Sequence, residues 1–285
     1  MSLILKIATI AVVGYLVAVT ALYVGQRRLI YHPTGTATDP ATLGLDGFAR
    51  VALTSLDGTT LETWRRDPQP GLQTILYFHG NGGTLADRAG RLAALGEVGY
   101  GVWIMAYRGY SGSDGRPSEA RNTADARAFY DAAREQGISA TDIVLYGESI
   151  GTGIATRLAA DVEVGGLILD SPFTSLVDLA AELYPAVPVR PFIAESYPVA
   201  SIISEIDAPL LVMHGKRDGV IPYRMGEAVH AAASAPKTLK IFPNGGHSDL
   251  FNHGALSEIR AFTANRAAGR TECRRVHGVS PPDVP

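Results

Sequence analysis

The chain has 285 residues and a formal net charge of −3, from 25 Lys+Arg against 28 Asp+Glu. Hydrophobic residues make up 46% of it, which supplies a packed interior and excludes a mostly disordered chain. The charge balance excludes a strongly basic nucleic-acid-binding stripe, and the single cysteine, Cys273, excludes a disulfide framework or a cysteine-built zinc site.

Residues Ile7 to Val24 carry no charge over 18 positions, about 27 Å of helix at about 1.5 Å per residue. Leu3, Ile4 and Leu5, with Lys6 snorkelling, lengthen this run enough to span a bilayer. Residues 1–28 therefore read as a single transmembrane anchor. A cleaved signal peptide competes with that reading, because Val19-Thr20-Ala21 passes as a cleavage site. A buried soluble helix fits less well, since the run is apolar all round. Lys6 and the α-amine flank one end and Arg27-Arg28 the other, so the positive-inside bias toward a cytoplasmic domain rests on one charge and leaves the side open.

From Arg50, RVALTS and TLETWRR flank Asp57-Gly58 and predict a β-hairpin. QTILYFHG is a third strand, followed by helical spacing at Leu85, Ala89, Leu92 and Leu95. GVWIMAY is a strand, Ala120 to Arg134 a helix, DIVLYG a strand and Ile150 to Ala160 a helix. GGLILD and PLLVMHG are strands, Arg224 to Ala233 a helix, TLKIF a strand and Asp249 to Ala264 a final helix. The strands are apolar without alternation, as in sheets covered on both faces. The fold class is α/β, with a mostly parallel eight-stranded sheet opened by an antiparallel hairpin. One globular domain is expected over 29–265. Residues 171–207, rich in Pro and aromatics, are too long for a plain connection and read as an inserted cap. Residues 266–285 read as a disordered tail.

Gly147-Glu148-Ser149-Ile150-Gly151 forms G-x-S-x-G between a strand and a helix. A serine on that sharp turn projects its hydroxyl above the carboxyl edge of the sheet, and the helix N-terminus behind it favours developing negative charge. The bland alternative is a Gly–Ser turn and nothing more. A serine needs a base, and the base an orienting acid. His247, after TLKIF, is the expected base, and Asp218, after PLLVMHG, the expected acid, in the chain order Ser…Asp…His. His79, His214, His230 and His253 are rival bases. His79 and His214 close strands and suit structural or substrate-facing roles; His230 suits a solvated helix face. Asp170 and Asp249 are rival acids. Oxyanion donors are expected from the Ile150 N–H and from the His79-Gly80-Asn81-Gly82-Gly83 loop, with the Asn81 N–H preferred to that of Gly80. A phosphate-cradling loop is excluded, because no Gly-Lys-Ser/Thr follows.

At LIYHP, FHGNGG, AYRGYSGSDGRPSE, YGESIGTGIA, LDSPFTS, HGKRDGVIP and GGHSD, between Leu29 and Asp249, the sequence resembles the α/β-hydrolase-fold serine hydrolases. It is similar to their small-cap, membrane-anchored branch of lipid and acyl-protein hydrolases. The resemblance implies hydrolysis of acyl esters or thioesters with no metal or organic cofactor, on a small-molecule or lipid substrate at a membrane. Some similar sequences are peptidases, which would ask a cap carboxylate, Glu182 or Glu195, to hold a substrate α-amine. A non-catalytic membrane scaffold is the alternative of another class. The N-terminal cysteine cluster of the mammalian thioesterases is missing here. Arg108, within YRGYSGSDG, is expected to make structural ion pairs. The acyl length, the membrane side and the oligomeric state are open.

Overall fold

The computed structural model describes residues 2–264; the predicted tail from 266 and Cys273 lie outside the described residues. The first helix, α1 (Leu3–Ile30), is capped by Ser2, whose hydroxyl accepts the Leu5 N–H. No residue of it is buried, and its apolarity and length make it a candidate membrane span. It runs six residues past Val24, through Gly25, because Gln26-Arg27-Arg28-Leu29 are good helix formers and the two arginines complement the helix C-terminus.

Eight strands form one sheet in the order β1-β2-β4-β3-β5-β6-β7-β8. These are β1 (Ala49–Thr54), β2 (Thr60–Arg66), β3 (Thr74–Phe78), β4 (Gly101–Met105), β5 (Ile143–Glu148), β6 (Gly166–Asp170), β7 (Leu210–Gly215) and β8 (Lys237–Phe242). The β1–β2 and β2–β4 pairs are antiparallel and all others parallel. Every residue of β3 to β7 is buried, which is the burial their uninterrupted apolar runs require.

The helices are α2 (Ala89–Val98), α3 (Glu119–Glu135), α4 (Ile150–Asp161), α5 (Leu176–Leu183), α6 (Val199–Ile202), α7 (Tyr223–Ala232) and α8 (255–264). The chain moves from β3 to β4 in one direction along the sheet and from β4 to β5 in the other. Right-handed crossovers therefore place α2 on one face and α3, α4, α6 and α7 on the opposite one. α8 returns to the α2 side, where the Thr263 hydroxyl hydrogen-bonds that of Tyr100 at 2.6 Å. The reversal makes the carboxyl ends of β3 and β5 the switch point of the sheet, where a crevice opens.

Two predicted boundaries change. The final helix is split: a short turn at Leu250–His253 is stopped by Gly254 at φ 98°, and α8 starts afresh. The predicted cap is also shorter than 171–207. Tyr197, Val199, Ile203 and Ile206 are nearly fully buried, and α6 packs on α4 and α7, so the second half of that stretch lies with the body.

Candidate active site

The turn between β5 and α4 is built by close backbone approach. Ser149 sits at φ 52° and ψ −117°, a conformation that costs a non-glycine residue about 1–3 kcal/mol. Its N–H donates to the Asp170 carbonyl at 2.9 Å, and its carbonyl accepts both the Thr152 N–H and hydroxyl. A Cβ at Gly151 would lie 2.1 Å from the Phe78 carbonyl oxygen, and one at Gly147 2.5 Å from that of Gly151. Only glycine at both flanks lets the serine stand at the tip.

His247 arrives on the loop after β8. Gly215, at the end of β7, meets that loop so closely that a Cβ there would lie 2.3 Å from the Gly246 carbonyl oxygen. The Arg217 N–H bonds the Gly245 carbonyl at 2.9 Å, and Asp249 accepts the Gly246 N–H at 2.7 Å. The structure brings the three sequence-predicted residues into one line. His247 Nε2 lies 3.0 Å from Ser149 Oγ, and His247 Nδ1 lies 2.8 Å from Asp218 Oδ2.

The Asp218 side chain has no solvent exposure. Its Oδ1 accepts the Val220 and Ile221 N–H groups, each at 2.8 Å, and its Oδ2 also lies 3.2 Å from His214 Nε2. Burial works against the carboxylate, but the hydrogen bonds from His214 and His247 outweigh it and hold the pKa well below the usual range. Burial likewise works against a charged His247. The hydrogen bond and charge of Asp218, with Asp170 and Glu148 behind it, outweigh that and raise its pKa above the ordinary 6.5.

The rival groups are engaged elsewhere. Asp170 accepts the Tyr146 hydroxyl at 2.5 Å and the Ser171 hydroxyl at 3.2 Å, and burial raises its pKa. Asp249 holds the Gly246 N–H and stands 3.4 Å from His253. His79 is buried, stacks on Tyr107 with centroids 4.0 Å apart, and has its pKa pushed down to about 3 by burial and then by Arg88. His230 lies on α7. Arg108 pairs with Asp125 at 2.7 Å and Asp57 at 2.6 Å, a structural arrangement.

Asn81 and Ile150 flank Ser149 in the crevice. Tyr110 donates its hydroxyl to the Asn81 side-chain oxygen at 2.9 Å, which fixes the loop. The Gly80 N–H faces Glu148 at 3.4 Å, whereas no acceptor among the described residues takes the Asn81 N–H; Ile150, first in its helix, has no intrahelical one.

Sequence reasoning missed the polar cluster beside the elbow. Glu148 lies 3.0 Å from Arg91, 3.5 Å from Arg88 and 2.8 Å from the Tyr77 hydroxyl. Burial opposes its charge, but Arg91 and Arg88 lower its pKa to about 2. Arg91 also donates to the Ser248 carbonyl at 2.6 Å, so it ties the elbow to the histidine loop. The signal was the three-residue spacing of Arg88, the N-cap residue of α2, and Arg91 in its first turn. The second histidine on Asp218 had no local signal, because His214 lies in β7 and Asp218 in the loop after it, where a four-residue separation implies no contact.

A cavity of about 690 Å³ opens above Ser149 and His247. α5 contributes Leu176, Leu179, Ala180 and Leu183, an i, i+3, i+4, i+7 face, with its N-terminus capped by Ser175. Phe173 and Ile193 complete that wall, and Leu29 and Ile30 from α1 line it too. Glu182 pairs with Arg224 and Glu195 with Arg27, and neither lines this cavity.

The alpha/beta hydrolase fold family matches residues 73–199. Uncharacterized protein Rv2307c of Mycobacterium tuberculosis is 35% identical over 248 residues, covering 85% of this chain and 88% of that one. The chain belongs to the α/β-hydrolase fold family. Within this family, protein bem46 of Schizosaccharomyces pombe is 30% identical over 267 residues, covering 87% of this chain and 89% of that one. Among solved structures, the esterase Pf2001 of Pyrococcus furiosus superposes with a TM-score of 0.67 at 20% identity, over 82% of this chain and 98% of that one, a likeness of fold. Family membership supports a hydrolase.

Proposed function

We propose that this protein is a membrane-anchored serine hydrolase that cleaves carboxylic acyl esters or thioesters. The observation that carries the reading is the hydrogen-bonded line Ser149–His247–Asp218 on the floor of an apolar cavity. His247 Nε2 takes the Ser149 proton as Oγ attacks the acyl carbonyl. Asp218 keeps the proton of the imidazole on Nδ1 and stabilises the imidazolium. The Ile150 and Asn81 N–H groups receive the oxyanion. His247 then protonates the leaving alcohol or thiol and activates the water that releases the acyl group. The apolar face of α5 supports an acyl substrate. A peptidase reading draws less support, since Glu182 and Glu195 are both committed to arginines outside the cavity. α1 supports a single-pass anchor, with 29–265 as the catalytic domain.

The test is a fluorophosphonate probe together with p-nitrophenyl ester turnover. Wild type should label and turn over, and folded Ser149→Ala should do neither. Labelling that persists in Ser149→Ala would place the nucleophile elsewhere.

A further inference from the structure

Four observations meet where α1 joins the globular body. First, the end of α1 is clamped to the cap. Gln26 donates from Nε2 to the Phe192 carbonyl at 3.2 Å and accepts the Ala194 N–H at 2.8 Å, so its amide spans that backbone. Arg27 pairs with the buried Glu195 at 2.7 Å, and Tyr31 donates to the same carboxylate at 2.8 Å. The Tyr23 ring meets Phe192 edge-on at 6.3 Å.

Second, Leu29 and Ile30 form part of the cavity wall beside α5. Third, exposed large apolar side chains gather at this end. Outside α1 the exposed ones among the described residues are Leu43, Leu56, Leu183, Tyr184, Phe192 and Val220. Of these, Leu183, Tyr184 and Val220 line the cavity, and Phe192 adjoins it beside Ile193. Scattered exposed leucines need no explanation, but a ring of them around one opening does. Fourth, the opening lies at a set height. Leu29 is five residues beyond Val24, the last of the uncharged run, a rise of about 7.5 Å at about 1.5 Å per residue. The polar zone on each side of a hydrocarbon core of about 30 Å is about 5–8 Å thick.

We infer that the cavity mouth, ringed by Leu183, Tyr184, Phe192, Val220 and Leu29, is seated in the bilayer that α1 crosses, so that the substrate is a bilayer-resident acyl ester entering from the lipid side. The inference rests on the anchor and hydrolase readings above and deepens them. α1 is a wall of the binding cavity as well as a tether, and the Gln26 and Arg27 contacts aim the mouth at the lipid. Phe192, held against Tyr23 at the end of the uncharged run, lies at the acyl boundary, while Leu29 sits with Arg27 and Arg28 at the level of the headgroups. An acyl chain can then pass from the bilayer to Ser149 without crossing water. An anchored domain with a water-facing mouth would have no use for four exposed apolar side chains there.

The test places an environment-sensitive fluorophore on the full-length chain in phosphatidylcholine vesicles, with Cys273→Ser removing the native thiol. One label sits at Tyr184→Cys, a second at Val220→Cys from a separate loop, and a control at Leu56→Cys in the β1–β2 turn. The expected result is quenching by spin-labelled lipid at 184 and 220 roughly threefold or more above that at 56, with protection from aqueous iodide. Iodide quenching at 184 and 220 equal to that at 56 would overturn the inference. So would shielding of both from lipid and iodide alike, which would mean a second copy or another protein covers the ring. Fluorophosphonate labelling of Ser149 is read on the unlabelled wild-type chain in vesicles of the same composition. Its absence alongside lipid quenching would sink the hydrolase reading and leave the seated mouth standing; its presence with an iodide-open ring would sink the seated mouth alone.

Discussion

Under the proposed function, replacing Ser149 by alanine removes the attacking oxygen and leaves the turn its glycines. The expected loss in kcat is of order 10⁴-fold or more, with an unchanged melting temperature. Asp218→Asn discriminates between the two buried acids. With two backbone N–H groups still holding its side chain, the variant should fold yet turn over about 10⁴-fold more slowly, because the amide favours the wrong tautomer of His247. Asp170→Asn should lose far less, since Asp170 bonds Tyr146 and Ser171 rather than the imidazole; the reverse ranking would relocate the acid. The pH profile follows from the sign of the His247 shift. The base must be neutral, and its pKa is raised above 6.5 because Asp218 outweighs burial. The acid limb of kcat/KM should therefore have its midpoint above 6.5. In Asp218→Asn burial acts unopposed by that partner, so the limb should move to lower pH. A midpoint that stays put in the variant would mean another group sets it.

The β5–α4 elbow and the end of α1 each hold a testable dependence on neighbouring backbone. A methyl group at Gly151 would meet the Phe78 carbonyl at 2.1 Å, so Gly151→Ala must open the β3–β5 crevice or rotate the elbow. The expected destabilisation is about 2–4 kcal/mol. Gly90, on α2, has nothing within 4 Å of a built Cβ, and Gly90→Ala should hold or gain stability. Urea midpoints of the two variants make the comparison. The final turn of α1 belongs to the fold as well as to a candidate membrane span. Glu195 is nearly fully buried and has Arg27 as its cationic partner. A domain beginning at Gly25 should therefore melt several degrees above one beginning at Tyr31, at about 2–4 °C per kcal/mol for a domain of this size. Equal melting temperatures would show that Arg27 contributes nothing to stability.

Under the proposed function, substrate preference is set at the scale of the whole molecule, through the cavity rather than through Ser149, His247 and Asp218. Its wall combines the apolar face of α5 with Leu29 and Ile30, two segments about 150 residues apart in the chain. Each buried acyl methylene contributes up to about 0.8 kcal/mol, roughly fourfold in kcat/KM. Across p-nitrophenyl esters from acetyl to palmitoyl, the detached domain should show kcat/KM rising to a medium-chain maximum as the cavity of about 690 Å³ fills, and then falling. A flat profile, or a fall from acetyl onward, would reject an acyl-binding wall.

Much of this arrangement could be read from the chain alone, because it rests on short-range patterns. Unbroken apolar runs such as TILYF and IVLYG mark strands buried on both faces, and the structure buries them completely. G-x-S-x-G between strand and helix marks a serine elbow, since its glycines answer clashes within a few residues and with the adjoining strand. The order of Ser149, Asp218 and His247 named the residues that converge. Other features had no local signature. Asp170 ends β6 and Asp218 follows β7 by three residues; chain order favoured Asp218, but the fold supplies the contacts, Asp170 to Tyr146 and Asp218 to His247. Glu195 looked like a cap acid free to hold a substrate, yet its partner, Arg27, lies 168 residues away. Nothing in the sequence of α1 says that Leu29 and Ile30 line the cavity above a serine more than a hundred positions later. Periodicity and turn chemistry report whether a residue is covered and how the backbone bends. Which distant side chain does the covering depends on how strands stack and where helices cross, and that is set by the packing of the whole chain.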